Sequence, residues 1–462
     1  MPIEGTFSSA KPDPQVAEAI EVLNREFCSR YVRREHRFYH VSRPNVPLDR
    51  RDVEQTFLIQ AQTIPLNIPI TPDILRQVFD DCINVKQTDK TKSIPVWGGE
   101  MVCLPGNNKR IVWLDTGSVQ LNTWMEPAYR KKAENNGPPN QFAAFFEILF
   151  PRPNERNRVL DWLAWSLQNE GDKPAWAMLL YSREKGTGKS VFCDIARRLF
   201  GEENTATQNN VDKLTGRFNS VALTSRLVIS EELNLRAESP QSNALKTYIT
   251  DRYILAERKG REPERIALVS SFLFTTNHLP VWIEAGERRY YIVDTGHDGH
   301  ASGPKTKEFT QLVAQIRAAL DDDQTVATLY RYLLNKPLGA DFDARTLNVK
   351  EHATEIMKRL QAADRQVNID QLEERLNEAG RTVVTQTELT SYIVRQFKVS
   401  GNSTRHLMFE LGWTSYNVKW GGADYSRVIW AKKGYTITGG NVIDPEGKFE
   451  AVCDHFAMKD HL

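Results

Sequence analysis

The residues best suited to chemistry form one short segment near the middle of the chain. Residues 182–190 read Ser-Arg-Glu-Lys-Gly-Thr-Gly-Lys-Ser and follow the apolar run Ala175–Tyr181. A buried strand, a glycine-rich turn and Gly-Lys-Ser before a helical segment are typical of a loop that binds nucleotide phosphates. Lys189 would reach the β- and γ-phosphates, and the Ser190 hydroxyl would hold Mg²⁺. The usual motif has glycine where this chain has Arg183. The predicted ATP-binding residues are Lys185, Gly186, Thr187, Gly188, Lys189 and Ser190.

Two carboxylates follow this loop after about forty residues. The apolar run Leu227–Ser230 predicts a strand that ends at Glu231 and Glu232. ATP hydrolysis uses one carboxylate to hold Mg²⁺ and another to polarise the attacking water. Neighbouring residues at a strand end point to different sides, which suits a division of these roles. We assign Ser190 and Glu231 to the metal and Glu232 to the water, with ATP and Mg²⁺ as cofactors.

Further polar residues stand at the ends of two later strands. The run Ser271–Thr276 predicts a strand that ends at Asn277, whose amide could position the water and sense the γ-phosphate. Arg288 and Arg289 precede a fourth strand. In ring ATPases such an arginine reaches the γ-phosphate bound by the neighbouring subunit. The predicted catalytic residues are Glu231, Glu232, Asn277, Arg288 and Arg289.

A β-hairpin with a basic tip is predicted between the carboxylates and Asn277. Two runs of strand-like residues within Tyr253–Val269 flank a turn that carries Arg258, Lys259 and Arg261. If the subunits form a ring, this hairpin would project into the central channel and bind DNA. The alternative is a solvated loop with incidental charge.

Bulk composition indicates a soluble, cytoplasmic protein. The 462 residues carry a net charge of +1, so a nucleic-acid interface must be a local feature. The five cysteines are scattered without CxxC pairs, which argues against a zinc site or a disulfide framework. The N-terminus lacks a secretory signal, and no apolar run is long enough to span a membrane. His297 and His300 are interpreted as part of a polar loop.

The sequence divides into segments with different patterns. A helix is predicted over Asp13–Arg37, and its basic end, which includes Arg33, Arg34 and Arg37, could contact DNA phosphates or form an ordinary exposed face. Short alternating runs within residues 94–124 predict β-hairpins. The expected domains are an N-terminal α+β domain at 1–135, a helical collar at 141–172, an α/β nucleotide-binding core at 173–300, a helical connector at 301–364, and a domain at 365–462.

The last of these segments predicts a winged form of the helix-turn-helix. Helices are expected at Ile369–Ala379, at 385–397 and at Ser403–Leu411, and short strands follow them. Three helices and a β-hairpin are the elements of a winged-helix DNA-binding domain. Its candidate DNA-binding residues are Arg405, Lys432 and Lys433.

From about residue 141 to 294 the chain resembles the superfamily 3 helicases of the AAA+ class. The likeness is to the primase-helicase proteins of phages, plasmids and other mobile elements, which are related to the poxvirus primase-helicase. It rests on the loop at 182–190, the pair Glu231 and Glu232, the basic hairpin, Asn277 and the Arg288–Arg289 pair. The resemblance implies a P-loop AAA+ core in a hexameric homo-oligomer that translocates 3′→5′ on single-stranded DNA and unwinds forks. A separate primase or polymerase would be a partner.

Two alternatives remain open. An ATP-switched replication initiator or loader would bind DNA without processive unwinding, but it would need no hairpin in a channel. A primase-helicase would need metal-binding carboxylates near the N-terminus, and no Asp-x-Asp pair ends an apolar strand there. We therefore predict a DNA helicase and do not predict priming activity.

Overall fold

The computed structural model divides the chain into two compact units. The first comprises Met1–Trp282 and Arg288–Thr354, and the second comprises Ile283–Glu287 and Glu355–Leu462. No helix in the described residues is long and apolar enough to cross a membrane. The structure describes residues 13–83, 93–132, 140–216, 220–235, 239–256, 264–280, 282–283, 286–296, 300–397, 403–420 and 425–457.

The first unit begins with helices and a small antiparallel sheet. Asp13 caps the first helix by accepting a hydrogen bond from the Gln15 N–H, and Leu23 and Phe27 on that helix are fully buried. The strand order in the sheet is β1-β2-β3. The elements are α1 (Pro14–Arg30), β1 (Tyr31–Arg34), β2 (Arg37–His40), β3 (Arg43–Leu48), α2 (Arg50–Ala61) and α3 (Pro72–Ile83).

The helix predicted over Asp13–Arg37 is therefore too long. It ends at Arg30, and Arg33, Arg34 and Arg37 lie on strands β1 and β2. The physical reason is the aromatic and β-branched pair that follows the helix, because Tyr31 and Val32 are fully buried on opposite faces of the sheet. The basic residues consequently belong to a β-hairpin rather than to a helix face.

The short alternating runs form a second small sheet of mixed direction. Its strands are β4 (Trp97–Val102), β5 (Ile111–Trp113) and β6 (Val119–Asn122). Strand β5 pairs with β6 antiparallel, as a hairpin does, whereas β4 pairs with β6 parallel. Sequence periodicity reports which residues face a core but not which strand is the partner, so the parallel pairing was not predicted.

A five-stranded parallel sheet forms the centre of the first unit. Its order is β13-β7-β12-β9-β8, and every pairing in it is parallel. The three inner strands are buried along their whole length, which is typical of a parallel sheet covered on both faces. This sheet confirms the predicted α/β class. The strands are β7 (Ala177–Tyr181), β8 (Thr205–Thr207), β9 (Leu227–Ser230), β12 (Ser271–Thr276) and β13 (Tyr290–Asp294).

Helices and one hairpin complete the first unit. Helices α4 and α5 occupy most of the segment expected to be helical at 141–172, and Phe150, which follows α4, packs against Phe192 with 5.5 Å between ring centroids. The elements are α4 (Asn140–Leu149), α5 (Pro153–Gln168), α6 (Lys189–Phe200), α7 (Val211–Thr215), α8 (Ser220–Leu223), α9 (Pro240–Thr250), β10 (Tyr253–Ala256), β11 (Glu264–Ala267), α10 (Thr306–Asp321), α11 (Asp323–Leu334) and α12 (Val349–His352).

The second unit contains three helices before most of its strands. The sheet β14-β16-β15 is antiparallel and is followed by another antiparallel sheet, β17-β18-β19. This is more sheet than the single hairpin predicted for the segment. The elements are α13 (Glu355–Glu378), β14 (Val383–Thr385), α14 (Gln386–Phe397), α15 (Ser403–Glu410), β15 (Thr414–Val418), β16 (Arg427–Ala431), β17 (Thr436–Thr438), β18 (Asn441–Ile443), β19 (Phe449–Ala451) and α16 (Val452–Ala457).

Helix α13 runs through the position where the sequence suggested a boundary. Separate helices were expected on either side of residues 364–365, but α13 is one helix of 24 residues. It contains neither glycine nor proline, so nothing in its backbone ends it early. It stops before Gly380, which has a φ of 58°.

Candidate active site

The glycine-rich loop joins the buried strand β7 to helix α6. Gly186 and Gly188 have φ values of 78° and 99°, a region that side chains other than glycine rarely adopt. Helix α6 begins at Lys189 immediately after Gly188, so its N-terminal N–H groups border the loop. The strand, loop and helix therefore have the arrangement that binds an anion at a helix N-terminus.

Lys189 and Asn277 meet at the edge of the parallel sheet. The Lys189 Nζ donates a hydrogen bond to Asn277 Oδ1 at 2.9 Å. Lys189 begins α6 and Asn277 follows β12, a neighbour of β7 in the sheet. Burial lowers the pKa of Lys189, while the charges of Asp294, Cys193 and Glu232 act in the opposite direction.

Ser190 and Glu231 also meet, as the sequence suggested. The Ser190 hydroxyl donates to Glu231 Oε2 at 2.8 Å. The Glu231 backbone N–H donates to Asn209 Oδ1 at 2.9 Å, and Arg197 lies 4.0 Å from the other carboxylate oxygen. A hydroxyl and a carboxylate at this separation are hard oxygen donors that suit Mg²⁺ alongside substrate phosphates. No group of three or more His, Cys, Asp or Glu residues among the described positions could hold a metal ion by itself.

Glu232 occupies a backbone conformation that is uncommon for its residue type. Its φ is 60°, and Glu35 is the only other described residue besides glycine with a positive φ. The Glu232 N–H donates to Thr275 Oγ1 at 3.4 Å, and the next N–H, of Leu233, donates to the Thr275 carbonyl at 2.7 Å. These contacts to β12 hold the turn, and they leave the Glu232 side chain exposed at the site.

These side chains line one pocket of about 400 Å³. Helix α10 forms another part of its wall, through Phe309, Thr310, Val313 and Arg317. Three of these positions are four residues apart and so lie on one face of the helix. Sequence reasoning missed this wall, because the spacing within α10 does not reveal which loop its face meets. All six predicted ATP-binding residues and the residues Glu231, Glu232 and Asn277 line the same pocket.

His300 is a further residue that the sequence did not identify. It is buried rather than part of a polar loop, and its Nε2 lies 3.1 Å from the Thr187 carbonyl oxygen of the phosphate loop. Its ring packs edge-on against Phe309 with 4.6 Å between centroids. His300 therefore links the phosphate loop to helix α10. The other histidine of that segment, His297, lies outside the described residues.

The two arginines predicted to act in catalysis do not line the pocket. Arg288 is exposed and Arg289 is partly buried, and the Arg289 carbonyl accepts a hydrogen bond from the Ala177 N–H on the neighbouring strand. A second polar cavity, of about 640 Å³, borders Glu232 from the side of α7 and α9. Glu232 therefore borders both cavities.

The predicted DNA-binding residues fall in two parts of the chain, the tip of the β10–β11 hairpin and the second unit. Strands β10 and β11 pair antiparallel, as expected for a hairpin, but Arg258, Lys259 and Arg261 at its tip lie outside the described residues. In the second unit Arg405 and Lys433 are exposed. Lys432 there donates to Asn377 Oδ1 at 3.0 Å, so it is partly engaged within its own unit.

Comparisons with known proteins identify one family and several replication proteins that this chain resembles. Residues 180–289 match a family described as a family of unknown function, DUF5906. The DNA primase-polymerase of Nitratiruptor phage NrS-1 is 28% identical over 140 residues. That alignment covers 29% of this chain and 19% of the phage protein, so the chain spans about a fifth of that relative.

Solved structures extend the likeness over more of the chain. The apo structure (A form) of the NrS-1 C-terminal region aligns with a TM-score of 0.51 and 16% identity, covering 85% of this chain and 93% of that one. A structure of JCV helicase aligns with a TM-score of 0.30 and 14% identity over 59% of this chain and 67% of that one. The chain is therefore similar in fold to the C-terminal region of the phage NrS-1 protein.

Proposed function

We propose that this protein is an ATP-dependent DNA helicase of a phage or other mobile element, with an AAA+ core of the superfamily 3 type. The single observation that carries the proposal is the pair of contacts in the pocket, Lys189 to Asn277 and Ser190 to Glu231. Residues from a loop, a helix and the ends of two strands are brought together as phosphoryl transfer requires.

Each residue has a role in the proposed reaction. Lys189 and the N–H groups of the loop bind the β- and γ-phosphates of ATP and neutralise their charge. Ser190 and Glu231 would hold Mg²⁺, which would supply positive charge to stabilise the negative charge that develops during phosphoryl transfer. Glu232 accepts a proton from the attacking water, and Asn277 orients Lys189 and that water.

The sheet supports the AAA+ assignment. In the order β13-β7-β12-β9-β8, strand β12 lies between the strand before the phosphate loop and the strand that ends at Glu231. Asn277 at the end of β12 is therefore placed between the phosphate-binding lysine and the carboxylates. This is the arrangement that the resemblance to superfamily 3 helicases implies for its sensor residue.

Assembly into a hexameric ring is part of the proposal. An arginine that acts on a neighbouring subunit must be exposed and outside its own pocket. Neither Arg288 nor Arg289 lines the pocket, and Arg288 is the more exposed of the two. The polar cavity beside Glu232 gives a route by which such an arginine could approach. We therefore assign Arg288 as the residue that stabilises the γ-phosphate of the adjacent subunit.

The DNA contacts proposed for this motor come from both units. In the sequence, the β10–β11 hairpin lies between strand β9, which precedes the carboxylates, and strand β12, which precedes Asn277. The chain therefore connects the base of the hairpin to the ATP site on both sides. The second unit contains three helices and antiparallel strands, which support the proposed winged-helix domain, and Arg405 and Lys433 are exposed. Movement is proposed to be 3′→5′ on single-stranded DNA, with a separate primase or polymerase as partner.

ATP hydrolysis tests this proposal at its chemical step. Lys189→Ala should abolish Mg²⁺-dependent hydrolysis, and Glu232→Gln should slow it roughly 10²- to 10⁴-fold while ATP binding persists. Glu308→Gln, an exposed carboxylate on α10, is the matched control and should hydrolyse ATP normally. Hydrolysis by Lys189→Ala at the wild-type rate would exclude this pocket as the ATP site.

A further inference from the structure

The hairpin β1–β2 carries an unusual pairing of like charges. Its register places Arg34 directly opposite Arg37, next to the tip residues Glu35 and His36. Directly paired residues of neighbouring strands share one face, so the two guanidinium groups project from the same side. Like charges in this position destabilise a sheet.

The carboxylate beside this pair compensates it only weakly. Arg34 Nε lies 3.9 Å from Glu35 Oε1, and the Glu35 side chain is 78% exposed. An exposed ion pair at that distance contributes little to the stability of the fold. Arg37 is exposed and has no ion-pair partner among the residues that the structure describes. The hairpin tip therefore carries net positive charge that the fold itself does not use.

The positive potential continues to the base of the hairpin. Burial lowers the pKa of His40, and the charges of Arg30, Arg43 and Arg110 lower it further. Arg110 donates to the backbone carbonyls of Val41 and Thr123 at 3.2 and 3.0 Å rather than to a carboxylate. Arg30 is paired with Glu26 at 2.7 Å, whereas Arg43 and Arg110 have no ion-pair partner among the residues that the structure describes, so the base of the hairpin adds to the positive charge of its tip.

The backbone at the tip is held in a costly conformation. Glu35 has a φ of 55°, in the left-handed region that residues with a side chain seldom adopt because the Cβ crowds the backbone. The only other described residue of this kind is Glu232, at the proposed catalytic site. The tight turn at Glu35 and His36 is what brings Arg34 and Arg37 opposite each other.

We propose that the tip of hairpin β1–β2 binds the phosphate backbone of DNA through Arg34 and Arg37. Arginine suits this role because its guanidinium group forms paired hydrogen bonds to phosphate oxygens. Such contacts position a nucleic acid without reading its bases, so binding should be independent of sequence. The choice of DNA rests on the proposed function, and neither arginine is among the DNA-binding residues assigned above to the β10–β11 hairpin or to the second unit.

Salt-dependent DNA binding by the full chain tests this proposal. Anisotropy of a labelled oligo-dT and of a blunt duplex of equal length would be measured for the wild type and for Arg34→Ala with Arg37→Ala. Loss of two phosphate contacts should reduce the salt slope on single strands by about 1.4 and weaken binding roughly tenfold at 0.1 M salt. The duplex slope should fall by about 1.8 if duplex DNA is the ligand. The strand form with the reduced slope identifies the ligand.

Three comparisons make the outcome decisive. Arg34→Lys with Arg37→Lys should retain most of the slope, because the charges remain. Arg50→Ala with Arg76→Ala removes two exposed arginines that are paired with carboxylates in the same region, and its slope should stay unchanged. The Arg34, Arg37 alanine variant should unfold at the wild-type temperature or higher, since a repulsion is removed. An unchanged slope on both DNA forms, or an equal loss in the Arg50, Arg76 control, would overturn the proposal.

The test also separates this inference from the proposed function. If the wild type binds DNA and hydrolyses ATP while the Arg34, Arg37 variant binds as tightly, only the hairpin proposal fails. If the wild type binds neither form of DNA, the helicase proposal fails with it. The DNA-free ATPase rate of the variant should equal that of the wild type, because the hairpin contributes no residue to the ATP pocket.

Discussion

The ammonium nitrogen of Lys189 lies 2.9 Å from the side-chain oxygen of Asn277, although 88 positions separate these residues in the sequence. The parallel sheet explains the contact, since β7 and β12 are neighbours and both end at the same edge. A lysine oriented by a strand-end amide is pre-positioned for the phosphates it is proposed to bind. This contact couples the phosphate loop to the strand that carries the proposed sensor.

Asn277→Ala should lower the rate of ATP hydrolysis by about 10²-fold while ATP remains bound. Loss of one positioned polar group at a reacting centre has a cost of this size. Single-turnover hydrolysis and nucleotide binding by fluorescence would measure the two quantities. The control is Asn169→Ala, whose amide donates to the Trp165 carbonyl outside the pocket and whose loss should leave hydrolysis unchanged. A wild-type hydrolysis rate for Asn277→Ala would contradict the sensor role.

Arg288→Ala should lower hydrolysis by roughly 10³-fold or more, whereas Arg289→Ala should act mainly on stability. An arginine supplied by a neighbour contributes about 10³–10⁵ in rate, and Arg288 is the exposed member of the pair. Mixing Arg288→Ala with Lys189→Ala subunits should restore part of the activity, because some interfaces then contain both intact residues. No restoration in subunits shown to co-assemble would mean that Arg288 does not act between subunits.

Gly188→Ala should impair the loop more than Gly186→Ala. Both glycines have positive φ, so each substitution introduces backbone strain of about 1–2 kcal/mol. Only at Gly188 would the new Cβ also collide, at 2.9 Å from Phe309 Cζ and 3.3 Å from Phe145 Cε2. ATP affinity and melting temperature would be compared for the two variants. Equal effects would indicate that the contact between the loop and α10 is not close in solution.

Lys173 should make the first unit more stable as the pH rises above neutrality. It is buried, it donates to the Ile249 carbonyl at 2.7 Å and to that of Tyr248, and burial lowers its pKa from 10.5 to about 7. Between pH 7 and 10.5 the unfolded state therefore binds more protons than the folded state, so the free energy of unfolding increases with pH. The slope contributed is at most about 1.4 kcal/mol per pH unit.

Urea unfolding at several pH values would measure this slope. Lys173→Met should flatten it, whereas Lys358→Met, an exposed lysine on α13, should not. Below pH 7 the lysine is protonated in both states, so the two slopes should converge there. Identical slopes for the wild type and Lys173→Met above pH 7 would show that Lys173 keeps its proton in the folded protein.

The sequence predicted the parts of the site that lie on a single stretch of chain. Ala175–Ser190 combines a wholly apolar strand, two glycines and a basic residue, and local patterns of this kind depend little on tertiary context. The carboxylates and Asn277 were also predictable, because each directly follows an apolar strand. Parallel strands must end at a common edge, so their polar end residues meet.

The remaining features depend on tertiary contacts that periodicity does not encode. The face of α10 with Phe309 and Arg317 has ordinary helical spacing. This spacing does not reveal that the face contacts the phosphate loop, which lies more than a hundred residues earlier in the sequence. His300 gave no signal because a histidine in a run of Gly, His, Asp and Ser residues is typical of a surface loop. Arg34 and Arg37 were placed on a helix because residues three positions apart can share one face of a helix, although they can also face each other across a tight hairpin. The buried pair Tyr31 and Val32, which begins the strand, decides between them.

Strand displacement on forked DNA most directly tests whether ATP hydrolysis in this pocket drives unwinding. Forks with either a 3′ or a 5′ single-stranded tail would be incubated with ATP and Mg²⁺, using the wild type and Lys189→Ala. Wild-type protein should displace the strand from forks with a 3′ tail, and Lys189→Ala should displace none although it still binds the fork. ATP hydrolysis stimulated by DNA without displacement from either fork would contradict a helicase and favour an initiator or loader.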